Sequence, residues 1–316
     1  MVAIQIIRDG ENLPDSVRGT VATIGVFDGV HLGHQALIAL VVEEAKELDL
    51  ETAVVTFDRH PTQIISPDNS PKTLTSIDRK IELFQDHGID YVYLIKFDQE
   101  RSQTPAVNFL EEVFINGVRA KSIYVGEDFQ FGFRKEGNVE LLHTEGKKAG
   151  VNVTGVLLVH GQSEEEGPIS STAIRDHLEL GEVSLANKKL GRMYECQGKI
   201  ISGDGRGQTI GVPTANLLID PEILLPAVGV YSAWYQRPDG SRKKAAVNIG
   251  RRPTFEDCSH DVSVEAHLLD FEGDLYGEAG RLFFVKRIRE ERKFSGVPEL
   301  QNQLRNDLAT VRKTLK

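Results

Sequence analysis

Apolar residues along the first half of the chain form strand-like runs separated by segments of helical periodicity. The β-branched run Thr20–Phe27 predicts a buried strand, and His34–Leu48 repeats apolar residues at helical spacing. Further strands are predicted at Thr52–Phe57, Tyr91–Phe97, Ser122–Gly126 and Val153–Val159, with helices near Ile77–His87, Pro105–Phe114 and Val139–Lys148. Strands that alternate with helices predict a parallel, doubly wound α/β sheet.

Ligands of such sheets bind at the carboxyl ends of the strands. Three segments follow predicted strands at that end: Gly25–Gly33, Thr56–Pro61 and Gly126–Gly132. They are distant in sequence, but the topology should place them beside one crevice.

The pattern changes after a short helix predicted from about Ser171 to Leu180. Strands then follow one another without helices between them: Tyr194–Ser202, Val230–Gln236, Lys243–Ile249, Val262–Leu269 and Arg281–Val285. Turn signals separate these strands, so the second half predicts a small antiparallel β-barrel. Pro298–Leu315 predicts a terminal helix, and the boundary between the halves is placed near Gly181–Lys189.

Composition narrows the functional classes. The formal net charge of −10 argues against a nucleic-acid partner, which usually requires a basic stripe. No apolar stretch is long enough to span a bilayer, and the N-terminus lacks the features of a signal peptide. The two cysteines, Cys196 and Cys258, are too few for a disulfide scaffold, so a cytoplasmic protein with reduced thiols is expected.

The segment GVFDGVHLGH (Gly25–His34) combines glycines with two histidines at a predicted helix start. Its glycines allow a tight turn and a close approach of the backbone to a ligand. His31 and His34 are three residues apart and can face the same way, at a helix end that favours anions. The pattern predicts a phosphate site. Zinc bound by this pair with Asp58 or His60 is disfavoured, because no third ligand is identifiable.

A second phosphate-binding segment is predicted at ISSTAIR (Ile169–Arg175). Ser171 and Thr172 can cap the following helix while offering hydroxyl donors. Arg175 lies one turn further on and can reach a phosphate with its planar guanidinium. An ordinary capped helix with a surface arginine fits the same residues, so this alternative stays open.

Together these segments resemble the nucleotidylyltransferases, and more closely the bacterial riboflavin kinase/FAD synthetase family. The family motifs GxFDGxHxGH, TFxxHP, GxDFxFG and SSTxIR read here GVFDGVHLGH, TFDRHP, GEDFQFG and SSTAIR, in the same order. The resemblance implies that the FMN phosphate attacks the α-phosphorus of ATP, with release of pyrophosphate and formation of FAD. It implies catalytic roles for His31 and His34. It also implies nucleotide or flavin contacts from Gly25, Phe27, Asp28, Gly29, Gly33, Asp128, Ser171, Thr172 and Arg175.

The glycine-rich segment Gly198–Leu217 follows the start of the first predicted barrel strand and contains PTAN near its end. It matches neither the Walker A loop nor the dinucleotide fingerprint. The glycines that can form a flap near phosphates are Gly203, Gly205, Gly207 and Gly211. A turn-rich hairpin explains the glycines alone equally well. Thr214 and Asn216 alternate, so they face one side of an extended segment and offer oxygen ligands suited to Mg²⁺.

The second half resembles riboflavin kinase along nearly its whole length, through PTAN, NIGRRPTF (Asn248–Phe255) and VEAHLLDFEGDLYG (Val264–Gly277). The resemblance implies that Glu265 is the base that accepts the proton of riboflavin's alcohol. It also implies that Thr214 and Asn216 hold Mg·ATP. The expected cofactor is Mg²⁺, with ATP as co-substrate. The other expected ligands are riboflavin, FMN, FAD, ADP and pyrophosphate.

The resemblance therefore implies two domains. Residues 1–182 should form a Rossmann-like FMN adenylyltransferase domain, and residues 187–316 a β-barrel riboflavin kinase domain with a terminal helix. Two alternatives remain: a monofunctional riboflavin kinase whose first half only binds ligand, and a flavin-sensing regulator without turnover. The oligomeric state does not follow from the sequence.

Four positions depart from the family motifs. Many relatives have Asn where Val26 stands, Pro at Arg59, Arg at Gln208 and Phe at Val212. None of these changes removes a residue to which the resemblance assigns chemistry. We therefore expect them to alter affinities rather than the reactions.

Overall fold

The structure is a computed structural model that describes residues 3–157, 167–203, 211–251 and 262–316. Its internal contacts divide the chain into two compact units, Met1–Ser170 and Ser171–Lys316. The domain limits of 1–182 and 187–316 stay a prediction, because compactness does not measure which residues an activity requires.

The described strands of the first unit are β1 (Gln5–Arg8), β2 (Thr20–Ile24), β3 (Glu51–Phe57), β4 (Tyr91–Ile95), β5 (Ala120–Gly126), the short hairpin β6 (Gln130–Phe131) and β7 (Gly137–Asn138), and β8 (Asn152–Val156). All of them except the hairpin form a six-stranded parallel sheet in the order β1-β4-β3-β2-β5-β8. The predicted parallel sheet is confirmed. The sequence pattern missed β1, because the strand has only four residues and Ile7 alone is buried, which gives no alternation of apolar and polar positions.

Helices cover both faces of this sheet. They are α1 (Leu32–Leu48), α2 (Thr62–Ile65), α3 (Ile77–Asp86), α4 (Ala106–Phe109), which continues as a π-helix over Leu110–Gly117, and α5 (Val139–Lys148), with 3₁₀ turns at Pro67–Asn69, Arg101–Gln103 and Phe133–Lys135. Successive residues of a strand point to opposite faces of the sheet, so they pack into different hydrophobic cores. Val54 packs with α1 and α3, whereas Val55 packs with α4 and α5.

The strand order fixes where a ligand can enter the first unit. Strand β2 lies between β3 and β5, so the chain winds outward in both directions from this point. In open α/β sheets the crevice at such a switch point, beside the carboxyl ends of the strands, is where ligands bind. Gly25 follows β2 and Gly126 ends β5, so two of the predicted segments border this crevice.

The second unit begins with two helices, α6 (Ser171–Glu179) and α7 (Val183–Leu190). They precede the strands β9 (Tyr194–Ile201), β10 (Ala215–Ile219), β11 (Gly229–Gln236), β12 (Arg242–Arg251), β13 (Val262–Leu268) and β14 (Ala279–Arg289), and α8 (Val297–Thr314) follows them. These strands form a closed antiparallel barrel in the order β10-β13-β12-β11-β14-β9. The predicted barrel and terminal helix are confirmed. The predicted boundary segment Gly181–Lys189 contains all of α7 except its last residue, and Val183 and Ala186 of this helix are buried.

The terminal helix packs against the outside of the barrel. Val311 and Leu315 form a buried cluster with Leu269, and Trp234 packs against it.

Within the described residues, no helix combines the length and the apolar character needed to cross a membrane.

Candidate active sites

The loop between β2 and α1 has an unusual backbone. Phe27 and Val30 have φ angles of 50° and 39°, and Gly29 between them has a φ of 81°. The left-handed region is unfavourable for a large or β-branched side chain and costs on the order of 1–3 kcal/mol per residue. Such strain persists only where surrounding contacts hold it, and it concentrates at functional sites.

The two predicted catalytic histidines lie together at the start of α1. Their rings stack with centroids 3.6 Å apart and an interplanar angle of 17°. His31 is the N-cap residue, and its Nδ1 accepts a hydrogen bond of 3.4 Å from the backbone N–H of His34. A side chain on Gly33 would place its Cβ 3.2 Å from the His31 ring, so glycine allows the imidazole to lie close to the helix. The helix N-terminus attracts anions, so the pair can bind phosphate oxygens.

The neighbouring residues of the loop support this pair from within the protein. The ring of Phe27 is buried and packs edge-on against His34 and Phe84, with centroids 5.1 and 5.5 Å away. Asp28 is also buried, and its carboxylate accepts hydrogen bonds from the backbone N–H of Leu74 at 2.8 Å. These contacts hold the loop in place, and the ligand contacts of Phe27 and Asp28 stay predictions.

The other strand ends contribute exposed polar groups and packed aromatics. Asp128 is exposed just beyond β5. Phe129 and Phe131 stack with centroids 5.4 Å apart beside it. Asp58, beyond β3, accepts a hydrogen bond of 3.0 Å from the N–H of Phe97.

In the part of the chain that the structure describes, no cluster of three or more His, Cys, Asp or Glu residues can hold a metal ion.

The second predicted phosphate segment, Ile169–Arg175, begins in the first compact unit, and its residues from Ser171 onward belong to the second. Helix α6 begins at Ser171, as the sequence predicts. Ser171 is half-buried and Thr172 is exposed, whereas Arg175 is buried. Their phosphate contacts stay predictions.

The barrel brings the predicted base and metal ligands together. Thr214 Oγ1 donates a hydrogen bond of 3.2 Å to Oε2 of Glu265. Asn216 pairs directly with Glu265 in the register of β10 and β13, and Asn248 pairs with it from β12. Directly paired residues point to the same face of a sheet, so both amides lie beside the carboxylate. A ring nitrogen of His267, Nδ1, is 2.7 Å from the carbonyl oxygen of Pro213.

Two clefts open beside these residues. One has a volume of about 250 Å³, and Glu265, His267 and residues of the terminal helix line it. The other has a volume of about 280 Å³, and Phe271, Asp274 and Tyr276 line it. Thr214 lines both clefts, so reactants held in them would meet at this residue.

The glycine flap is described only at its two ends. A Cβ atom on Gly203 would lie 2.0 Å from Nδ2 of Asn216, so glycine allows this loop to lie against the amide. Gly211 has a φ of 81° and open space around it. Gly205 and Gly207 lie outside the described residues.

Comparison with known proteins gives matches to both halves of the chain. The sequence model of FAD synthetase matches residues 13–173, and that of riboflavin kinase matches residues 190–315. The bifunctional riboflavin kinase/FMN adenylyltransferases of Bacillus subtilis and Escherichia coli K12 are each 35% identical to this chain. The first alignment covers 97% of this chain and 96% of the relative, and the second covers 98% and 97%. The chain belongs to the bifunctional riboflavin kinase/FMN adenylyltransferase family.

A solved structure resembles the whole chain. It is described as a macrolide-efflux protein from Streptococcus pneumoniae, with a TM-score of 0.87 and 28% sequence identity. The match covers 98% of this chain and 99% of that chain. The family assignment rests on the two family regions and the full-length relatives, which agree with each other.

Three of the four departures from the family motifs lie in the described residues. Val26 makes its hydrogen bonds through its carbonyl oxygen, which accepts from Lys80 and Thr56, so the change of side chain leaves them intact. Arg59 is partly exposed and pairs with Asp58. Val212 lines the 250 Å³ cleft. Gln208 lies outside the described residues.

One wall of the 250 Å³ cleft was not predicted from the sequence. Asp307 on α8 is buried and accepts hydrogen bonds from Arg289 Nε at 3.0 Å and Nη2 at 2.8 Å. Two guanidinium groups lie near the ring of Phe294, with Arg289 Cζ 5.7 Å and Arg292 Cζ 4.8 Å from its centroid. All four residues line the 250 Å³ cleft. No local motif marks them, because the wall forms only when the terminal helix packs on the barrel.

Proposed function

We propose that this chain phosphorylates riboflavin to FMN and then adenylylates FMN to FAD, with ATP as the co-substrate of both steps. The first step releases ADP and the second releases pyrophosphate. The observation that carries the proposal is the presence of both family regions in one chain, at residues 13–173 and 190–315. We place both reactions in the cytoplasm, because both consume ATP.

The kinase step requires a group that accepts a proton from a neutral alcohol. Glu265 is suited to this role, because its carboxylate lines the 250 Å³ cleft and is oriented by the Thr214 hydroxyl. We assign this cleft, with its apolar and aromatic wall, to riboflavin and the 280 Å³ cleft to ATP. The γ-phosphate and the flavin alcohol would then meet beside Thr214, which lines both clefts.

The donor set in the barrel fits Mg²⁺. Thr214 and Asn216 offer a hydroxyl and an amide oxygen, which are the hard ligands that this ion prefers. Bound Mg²⁺ would neutralise charge on the phosphate oxygens during phosphoryl transfer. The hydroxyl of Thr214 can donate its proton to Glu265 while its oxygen lone pairs face the cation.

The adenylylation step needs no strong base, because a phosphate nucleophile is already ionised at neutral pH. It needs positioning and neutralisation of negative charge. We assign this role to the stacked pair His31 and His34. Ser171, Thr172 and Arg175 are proposed as phosphate contacts on the basis of the sequence motif alone. The loop glycines Gly25, Gly29 and Gly33 and the exposed Asp128 are proposed to border the nucleotide and flavin.

Product analysis tests this proposal against its alternatives. The protein is incubated with riboflavin and Mg·ATP, and the flavins are separated by chromatography. FAD supports two activities, FMN alone indicates a monofunctional kinase, and unchanged riboflavin indicates a regulator.

Two variants then separate the sites. Glu265→Gln should leave riboflavin unconverted but still make FAD from added FMN. The double variant His31→Ala with His34→Ala should accumulate FMN. Loss of one positioned catalytic group typically slows a reaction by about 10²–10⁴-fold. If a folded Glu265→Gln protein made no FAD from FMN, the two-site assignment would be wrong.

A further inference from the structure

Lys80 on α3 is buried, with 7% of its surface exposed. Its ammonium donates a hydrogen bond of 2.8 Å to the carbonyl oxygen of Val26. Burial lowers the pKa of Lys80 to about 8, while the negative charge of Asp28 opposes that shift. A lysine in such a place is uncommon, since burial of an ammonium group is unfavourable without a specific partner.

The partner of Lys80 belongs to the strained loop of the first site. Val26 directly precedes Phe27 and lies four residues before Val30, and both of these non-glycine residues of the loop have left-handed backbone. The same Val26 carbonyl oxygen accepts a hydrogen bond of 3.3 Å from Thr56 Oγ1 on β3. Two donors from different elements therefore fix the backbone at the start of the loop.

A second set of hydrogen bonds joins the loop to Leu74 and Thr75, which lie just before α3. Thr75 Oγ1 accepts a hydrogen bond of 3.2 Å from the N–H of Gly29. The Asp28 carboxylate accepts from the N–H groups of Leu74 at 2.8 Å and Thr75 at 3.2 Å. The segment Leu74–Lys80 is thus hydrogen-bonded to three residues of the loop, Val26, Asp28 and Gly29.

The loop leads directly into the histidine pair. Val30 is followed by His31, the N-cap residue of α1, whose ring stacks on His34. A displacement of Val26 or Gly29 would therefore be transmitted along a few residues of backbone to the imidazoles. A misplacement of about 1 Å can slow an enzymatic reaction by about 10²-fold.

We infer that Lys80, together with Thr75, is a positioning residue for FMN adenylylation. Its ammonium holds the loop Gly25–Val30 in the strained backbone that presents His31 and His34. This inference rests on the proposed adenylylation site at the histidine pair.

The variant Lys80→Met keeps most of the side-chain length and removes the donor. We expect kcat for adenylylation of FMN to fall by about 10²-fold, with KM values for FMN and ATP nearly unchanged. Riboflavin phosphorylation in the same protein should keep its wild-type rate, because Glu265 and Thr214 belong to the other unit. Amide hydrogen exchange of the loop Gly25–Val30 should become faster.

A matched control separates positioning from loss of stability. Leu142→Ala removes a buried side chain from the core on the other face of the same sheet. It should lower the melting temperature of the first unit without lowering kcat at temperatures where that unit is folded. Wild-type kcat in Lys80→Met, or an equal loss of kcat in folded Leu142→Ala, would overturn the inference.

A second pair of variants covers the case in which Lys80→Met does not fold. Thr75→Val removes the hydroxyl that accepts from Gly29, and Thr75→Ser retains it. We expect slower adenylylation only in Thr75→Val, and equal rates in the two variants would contradict the inference. The double alanine variant of His31 and His34 tests the site itself. If it keeps adenylylation, the site assignment is wrong; if it loses adenylylation while Lys80→Met keeps wild-type kcat, only the inference fails.

Discussion

Thr214 on the approach to β10 donates a hydrogen bond of 3.2 Å to the carboxylate of Glu265 on β13. The two residues are 51 positions apart in sequence, and antiparallel pairing of their strands brings them together. The contact links the proposed metal ligand to the proposed base, so a change at either residue should alter the orientation of the other.

The first prediction concerns the hydroxyl of this pair. Thr214→Val preserves the shape of the side chain but removes both the donor to Glu265 and the oxygen ligand. Kinase activity should fall by about 10²-fold, the effect expected for a misplaced reacting group. Thr214→Ser, which keeps the hydroxyl, should retain most of the activity over a Mg²⁺ titration. Adenylylation of supplied FMN should be the same in both variants.

One outcome would contradict the assignment of Thr214 as a ligand of the cation. If Thr214→Val and Thr214→Ser phosphorylated riboflavin at the same rate across the titration, the hydroxyl would have no role in binding the cation.

The second prediction concerns the terminal helix, which two arginine–aspartate pairs join to the barrel. The Arg289–Asp307 pair is largely buried, with side-chain exposures of 19% and 4%, whereas the Arg312–Asp270 pair is exposed, at 53% and 68%. Removal of one partner from a buried pair destabilises a protein by about 3–5 kcal/mol, because the other charge stays buried. Exposed pairs contribute little, because water and salt screen both charges.

Asp307→Ala should therefore lower the free energy of unfolding of the second unit far more than Asp270→Ala. Trp234, the only tryptophan of the chain, packs against the terminal-helix cluster, so its fluorescence reports this transition during denaturation with urea. Asp307→Ala should also raise KM for riboflavin, since Asp307 and Arg289 line the cleft. Similar unfolding curves for the two variants would contradict the conclusion that the buried Arg289–Asp307 pair stabilises the second unit more than the exposed pair does.

The sequence predicted the parts of the sites that depend on local pattern. The alternation of strands and helices placed the loop of His31 and His34 at the carboxyl end of a parallel sheet. The alternation of Thr214 and Asn216 placed both on one side of an extended segment. These inferences succeeded because strand and helix periods are set by the backbone and need no knowledge of distant contacts.

The sequence did not predict the supporting contacts, although one of them left a signal. Lys80 lies three and four residues before the buried Leu83 and Phe84, so helical spacing places it on the inward face of α3. A charged residue at such a position would normally be assigned to solvent. The pairing of Asp307 with Arg289 left no signal, because it depends on where the terminal helix packs.

The third prediction concerns the start of the kinase domain. The sequence placed this domain at residues 187–316, whereas the compact unit begins at Ser171. The earlier residues contact the barrel: the N–H of Ala227 donates to the carbonyl of Leu178 at 2.9 Å, and Val183 and Ala186 are buried. A fragment of residues 187–316 would expose the surface that these residues cover.

We therefore expect fragment 171–316 to be more stable in urea than fragment 187–316, with Trp234 fluorescence as the measurement. Both fragments contain Glu265 and Thr214, so both should phosphorylate riboflavin when folded. Equal midpoints would show that α6 and α7 contribute nothing to the stability of the barrel.

The last prediction is a pH dependence that arises from Lys80. Burial lowers the pKa of its ammonium to about 8, whereas an unfolded lysine titrates near 10.4. Between these values the unfolded chain binds more protons than the folded chain, so this residue makes the free energy of unfolding rise with pH. Below pH 8 both states are protonated and the unfavourable burial of the charge is fully present. Above about pH 10.4 both states are neutral and this contribution is gone.

The difference between the wild-type protein and Lys80→Met isolates this contribution, because every other group titrates in both. Between pH 8 and 10.4, the free energy of unfolding of the wild-type protein should rise relative to that of the variant. The rise should be at most about 1.4 kcal/mol per pH unit. Calorimetry of the first unit's transition is the suitable measurement, since Trp234 lies in the other unit and reports only that one. A difference that stays constant from pH 7 to pH 10 would mean that the Lys80 ammonium keeps its ordinary pKa, and that the chain stabilises its charge as well as water does.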